Sequence, residues 1–238
     1  MWLDSITAIN KYLADEVPHP NGSFLGPLPY KERWYGHVDM NTGKVTATTY
    51  GALDAFFPAV LALSGDLDRA QRLQESSFKM WMKHGIEPEE INYQTMEVTS
   101  PGYPLRPEIV ESTYYLYHYA LLGTRGSRPQ SWRSFRLGTR RLQTGQVPPP
   151  NASAARLDPE HYLQMGEMMW RDFVKYCRTD EGYAALKSVV TKEKSDSMQS
   201  FLFAETFKYF YLLFASPKTL NFDKVIFNTE AHPIRRSP

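Results

Sequence analysis

The chain has little that could staple it together. One cysteine, Cys177, stands among 238 residues, so neither an internal disulfide nor a cysteine-based metal site can form. Neither sign of charge is in excess. The 27 Lys and Arg against 26 Asp and Glu leave a net charge of +1, which gives no electrostatic reason to expect nucleic acid or an anionic membrane as partner. No apolar run reaches membrane-spanning length. The opening Met1-Trp2-Leu3-Asp4 lacks the basic and apolar segments of a secretory leader. Apolar and aromatic residues are plentiful, at 42% and 14%. That is enough for a core in one large domain or in a piece of a bigger one, and the aromatics also suit stacking on carbohydrate. Two N-x-S sequons, at Asn21 and Asn151, matter only in a secretory compartment.

The most informative stretch is 103–119, YPLRPEIVESTYYLYHY. Pro107 suits a helix's first turn, where backbone N–H groups lack helical partners anyway. Glu108 then falls where the positive end of the helix dipole favours a carboxylate. Glu111, three residues on, shares its face, and Arg106 stands just before. One cation and two carboxylates at a helix mouth suit a polar ligand; they equally suit a well-capped helix with a surface ion pair. Glu205 is the second candidate. It is the one acid inside the apolar helix predicted after an Asp196 cap, flanked by Phe201, Leu202, Phe203 and Phe207. Burying a carboxylate there is costly without a partner, so either a site or a structural ion pair holds it.

The remaining pattern is mostly helical. Residues 5–16 read as an amphipathic helix with Ile6, Ile9, Tyr12 and Leu13 on one face. Residues 18–29 are a Pro/Gly-rich loop, and Asn41-Thr42-Gly43 marks a hairpin. Residues 50–63 read as a buried helix, with a kink or a helix start at Pro58. Asp66 caps a helix over 67–83 that ends near Gly85. Residues 87–102 read as a polar loop. Asp158-Pro159-Glu160 opens a helix with Tyr162, Met165, Met169, Phe173 and Tyr176 on one stripe, and 182–190 reads as a strand pair or an extended segment. Residues 123–156 hold seven arginines, no acid and Pro148-Pro149-Pro150, a composition that cannot bury enough to order itself. It is either a disordered insertion or a basic loop for an anionic partner. Near the end, 225–227 reads as a strand, and Thr229-Glu230-Ala231-His232 reads as a tail or an oxygen-rich cation site. At least six helices in consecutive pairs point to an α/α toroid or solenoid. The expected division is 1–120, an insert over 121–157, and 158–238 continuing the first domain.

Three segments taken together, LRPEIVESTYYLY (105–117), SFLFAETFKYFYLLF (200–214) and FNTEAHPI (227–234), resemble the C-terminal half of family 47 glycoside hydrolases. These are the class I α-1,2-mannosidases, and the likeness is to their ER degradation-enhancing branch. It takes in nearly the whole chain outside 121–156. The resemblance implies an all-α fold, a partial (α/α)7 barrel of about half the toroid with short β-hairpins. It also implies a Ca2+-dependent inverting α-1,2-mannosidase acting on high-mannose N-glycans of misfolded glycoproteins in the ER lumen, with a protein disulfide isomerase-type partner. Residue by residue, Glu108 matches the catalytic base. Arg106 and Glu111 match residues lining the sugar site, Phe201 the aromatic under the mannose ring, and Glu205 a carboxylate near ligand and cation. Thr229 matches the Ca2+ ligand, with Glu230 beside it.

The departures from the family pattern are equally specific. The family's acid belongs to an N-terminal half not represented here. Gly51-Ala52 stand where many members carry a catalytic Asp, which leaves Asp54 as the nearest substitute. Asn92 stands where some relatives carry His. The alternatives to an active enzyme are a lectin-like glycan binder and an inactive product.

Overall fold

In the computed structural model, which describes residues 1–19, 30–124 and 157–236, helices form the body and short strand pairs its rim. The order is α1 (Trp2–Tyr12), β1 (Ala14–His19), β2 (Tyr30–Tyr35), β3 (His37–Val38), β4 (Val45–Ala47), β5 (Thr49–Gly51), α2 (Phe57–Ser64), α3 (Leu67–His84), β6 (Glu90–Asn92), β7 (Glu97–Ser100), α4 (Glu108–Thr124), α5 (Pro159–Cys177), α6 (Phe207–Phe214), β8 (Val225–Phe227) and β9 (Pro233–Arg235). The strands pair antiparallel as β1–β2, β3–β4, β5–β6–β7 and β8–β9.

The helix that follows the RPE motif, α4, is the hub. It packs against α2, α3, α5 and α6, with Ile109, Val110 and Leu116 fully buried. Buried hydroxyls fix its rotation. Ser112 Oγ donates to Ala55 O (2.6 Å) and accepts from Ala59 N–H (3.2 Å). Gln74 Nε2 of α3 donates to Thr113 Oγ1 (2.8 Å) and Ile109 O (3.3 Å). These bonds satisfy polar groups that would be costly to bury alone. On α5, a Cβ at Gly166 would meet the Leu213 side chain at 2.1 Å, so α5 and α6 touch where only glycine fits.

Several ends fall where the residues predict. Asp66 accepts from Arg69 N–H (3.3 Å), and Gly85 ends α3 in the left-handed region at φ 68. Asp158 accepts from Glu160 N–H (3.1 Å), with Pro159 in the first turn of α5. The α5 stripe is core: Tyr162, Met165, Met169 and Phe173 are all 0% exposed, and Tyr176 is half-buried.

Four expectations are corrected, each by backbone pairing between segments. Residues 14–16 are strand, not helix, because Ala14, Asp15 and Glu16 pair with Tyr35, Trp34 and Arg33. Residues 50–63 are not one helix. Tyr50 and Gly51 pair with Ile91 and Glu90, a single 3₁₀ turn covers Leu53–Phe56, and α2 starts with Pro58 in its first turn. The supposed polar loop 87–102 contains the β6–β7 hairpin. Finally, 197–200 are not helical: Ala185 donates to Ser197 O and accepts from Ser195 N–H (both 2.8 Å), which holds this segment extended. The helix begins only at Phe201. Past Thr124 the arginine-rich insert lies outside the described residues, as do both sequons and 20–29.

Candidate active site

The approach to α4 is strained. Leu105 has φ 68, a conformation that costs a leucine about 1–3 kcal/mol and persists where surroundings over-determine it. Here they do. Leu105 is fully buried, its carbonyl accepts from Thr206 Oγ1 (2.8 Å), and the Tyr103 hydroxyl donates to Arg106 O (3.2 Å). Tyr103 is itself anchored by a two-way backbone pair with Leu186 (2.9 Å each way). Arg106 does not form the surface ion pair considered from the sequence. Its Nε and Nη2 each lie 2.9 Å from Glu89, one to each carboxylate oxygen. Its guanidinium lies 5.7 Å over the Phe201 ring. The fork geometry is the strong form of this ion pair.

Thr206 and Glu205 come from a π turn, Leu202–Thr206, wound one residue wider than α-helix. Such turns are frequent at functional sites. This one brings Glu205 (9% exposed) into the field of α4, so Glu108, Glu111 and Glu205 act on one another. Burial pushes the Glu108 carboxyl up to about 7; its own N–H and Arg106 hold it back, while Glu111 and Glu205 add to the rise. Burial also pushes Glu111 up to about 7, against the Tyr209 hydroxyl and with Glu205. Tyr209 donates to Glu111 Oε1 at 2.7 Å. Glu205 is raised by burial and then by Glu230, with Lys208 opposing. Carboxyls whose environments move them toward neutrality are suited to proton transfer at neutral pH.

The C-terminal turn closes this side. Asn228 Oδ1 accepts from Glu230 N–H (3.1 Å) and His232 N–H (2.9 Å), and Ala231 sits at φ 54. Lys208 Nζ of α6 donates to Ala231 O (2.7 Å), which ties the turn to the helix carrying Glu205. Thr229 and Glu230 are exposed on it. Among the described residues no three acidic, His or Cys side chains group as a metal-binding set. The family resemblance puts a calcium ion on the carbonyl and hydroxyl oxygens of Thr229; hard oxygen donors on an exposed turn, near the mutually repelling Glu205 and Glu230, are of the type that ion takes.

Asp54 is placed differently. It is exposed, and its Oδ2 accepts from Gly51 N–H at 2.8 Å, closing the turn after β5. That oxygen lies 3.5 Å from where a Cβ at position 51 would sit, so it fills space beside Gly51. Asn92 Oδ1 accepts from Gln94 N–H (3.0 Å) and Thr95 N–H (3.2 Å), a role in the β6–β7 turn. The structure thus gathers Arg106, Glu108, Glu111, Phe201 and Glu205, with Glu230 at the edge, and gives Asp54 a turn-closing bond.

Sequence reasoning missed Glu87, Glu89, Tyr209 and Lys208. Glu87-Pro88-Glu89-Glu90 reads as a polar run, yet Ile86 and Glu87 are 0% exposed. No local signal marks them, since Glu89 lies seventeen residues ahead of the Arg106 it pairs with.

The chain belongs to the glycosyl hydrolase family 47, whose model matches residues 1–146 and 158–236. It is therefore a member of a family of α-mannosidases, which are glycoside hydrolases. It is 32% identical over 204 residues to "Alpha-mannosidase I MNS5" of Arabidopsis thaliana, covering 85% of this chain and 29% of that protein. It is 35% identical over 187 residues to human "ER degradation-enhancing alpha-mannosidase-like protein 3", covering 78% of this chain and 16% of that protein. Its fold matches the solved α-1,2-mannosidase from Trichoderma reesei with TM-score 0.64 and 22% identity, over 98% of this chain and 46% of that one. The architecture is accordingly part of an (α/α)7 barrel. The chain spans less than a third of the curated relatives just described.

Proposed function

We propose that this chain supplies the base-and-cation side of an inverting α-1,2-mannosidase acting on high-mannose N-glycans in glycoprotein quality control in the ER lumen. One observation carries the reading. Three carboxyls from α4 and the π turn act on one another beside an aromatic ring and a fixed guanidinium, with Glu108 held near neutrality. In an inverting reaction a carboxylate takes a proton from water while an acid on the other side, roughly 6.5–9.5 Å away, protonates the leaving oxygen. Glu108 is the base in this proposal. Arg106 and Glu111 orient sugar hydroxyls, and Phe201 supports the ring. Ca2+, when bound at Thr229, supplies a hard electrophilic centre for sugar hydroxyls. Glu230 and Glu205 position the hydroxyls and water around it. A protein disulfide isomerase-type partner belongs to the same proposal. Cys177 is buried, so a thiol of this chain is not offered to it.

A mannose-release assay on the purified chain, run beside glycan binding, tests this. Glu108→Gln is expected to lower release by about 10²–10⁴-fold while binding is kept. Loss of both would remove Glu108 from the role of base. Chelation is expected to lower the melting temperature, because a ligand of the native state stabilises it; an unchanged value counts against Thr229. The second reading, a glycan binder without turnover, is favoured by Asp54, whose carboxylate is engaged with Gly51. Affinity without product in the same assay would select it.

A further inference from the structure

Among the described residues, the least accommodated side chain is Glu87. It is 0% exposed, and neither carboxyl oxygen has a hydrogen-bond partner. It is not loose. Ala52 N–H donates to Glu89 O (2.9 Å) and Glu89 N–H to Gly102 O (2.8 Å), so the 87–89 segment is pinned on both sides, with Ile86 and Pro88 buried around it. Glu89 is spent on Arg106 through both its oxygens, so the one cation that bears on Glu87 among the described residues is already taken. The groups that bear on Glu87 are few: Glu108 of α4, Glu89 of its own segment and Arg106. The hydroxyls of Tyr50 and Tyr103 also lie within its field. Glu108, the nearest in effect of these groups, likewise has its Oε2 buried without a partner.

A carboxylate buried in this way would cost several kcal/mol, so it takes up a proton instead. A protonated carboxyl is a donor, and the partnerless Oε2 of Glu108 is an acceptor. We propose that Glu87 is a positioning residue for Glu108: a neutral carboxylic acid whose O–H donates toward the Glu108 Oε2 atom, directly or through one enclosed water, and so fixes the orientation and ionisation of the base. Such a bond favours the charged form of its acceptor. Glu87 thus offsets part of the rise that burial and the other carboxyls impose on Glu108. This rests on Glu108 as the base, but its readouts concern protonation alone. A failed mannose-release assay leaves it standing, and its own failure leaves Glu108 in place.

The test is a carboxyl-carbon NMR titration of the glutamate-labelled chain, with Glu108 assigned through Glu108→Gln. Glu87→Gln, which keeps a donor, is expected to leave the Glu108 midpoint unchanged. Glu87→Met, similar in length but unable to donate, is expected to raise it by about one unit. If both variants lower the midpoint, Glu87 is a charged neighbour and the proposal is overturned; equal or absent shifts overturn it as well. Should Glu87→Met fail to fold, the infrared spectrum at neutral pH decides. Wild type minus Glu87→Gln is expected to show the carbonyl band of a protonated carboxylic acid, and its absence refutes the neutral acid.

Discussion

Buried acids occur on two sides of this molecule and are treated in opposite ways. On the flank built by β2, α3 and α5, Glu32 and Glu75 are 4% and 6% exposed, and each meets a basic side chain. Lys79 Nζ lies 2.6 Å from Glu32 Oε1, and Trp34 Nε1–H donates to the other oxygen (3.1 Å). His161 Nε2 lies 2.5 Å from Glu75 Oε1. Around the RPE motif, Glu87 is fully buried, Glu205 is 9% exposed and Glu108 is half-buried, but the guanidinium beside them is committed to Glu89. The same residue type therefore means two things. A partnered carboxylate ties elements together. One buried without a partner destabilises the fold and marks a place where protons are handled.

The sharpest way to break this comparison is pH. Folding raises the carboxyls of Glu108 and Glu111 to about 7. Their contribution to stability is therefore full below the unfolded value of about 4.3 and is lost as pH rises through 7. The expected loss is of the order of 3 kcal/mol for Glu108 alone. Melting temperature should fall between about pH 4.5 and 7.5 in the wild type and stay nearly level in a Glu108→Gln/Glu111→Gln variant. A level wild-type curve would end the distinction between the two sides.

The partnered side should respond in the other sense. Lys79→Met strips Glu32 of its cation and is expected to cost about 2 kcal/mol in urea unfolding, with the Glu108 titration unmoved. A shift of Glu108 would mean the two sides are not independent. The smallest effect is local. Thr206→Val removes the hydroxyl that holds the Leu105 carbonyl, at about 1 kcal/mol. It should also loosen the Arg106–Glu89 fork, read as faster exchange of the Arg106 side-chain protons.

How much could be read without the fold depends on the range of the interaction. The start of α4 beside Pro107, with Glu108 in its first turn, the Asp66 and Asp158 caps and the Gly85 stop follow from residues within one helical turn, and all stand within a residue of where the sequence puts them. The strand at 49–51 and the hairpin over 90–100 do not, because each depends on a partner some forty residues away or on a bulge between Glu90 and Ile91. In the site, Arg106, Glu108 and Glu111 were visible as one motif. Glu89 was not, since nothing local says that an acid seventeen residues upstream will close on Arg106. The π turn likewise hid the alignment of Glu205: it shifts the helix phase that an α-helical reading assumes.

The amino-acid order alone determined which acids exist, how they are spaced and which helices carry them, because caps, prolines and apolar stripes act over a few residues. Which of those acids would be neutralised by a neighbour and which would be buried without one was decided only when distant segments packed. Desolvation and charge pairing are properties of the assembled interior, and no short stretch of chain contains them.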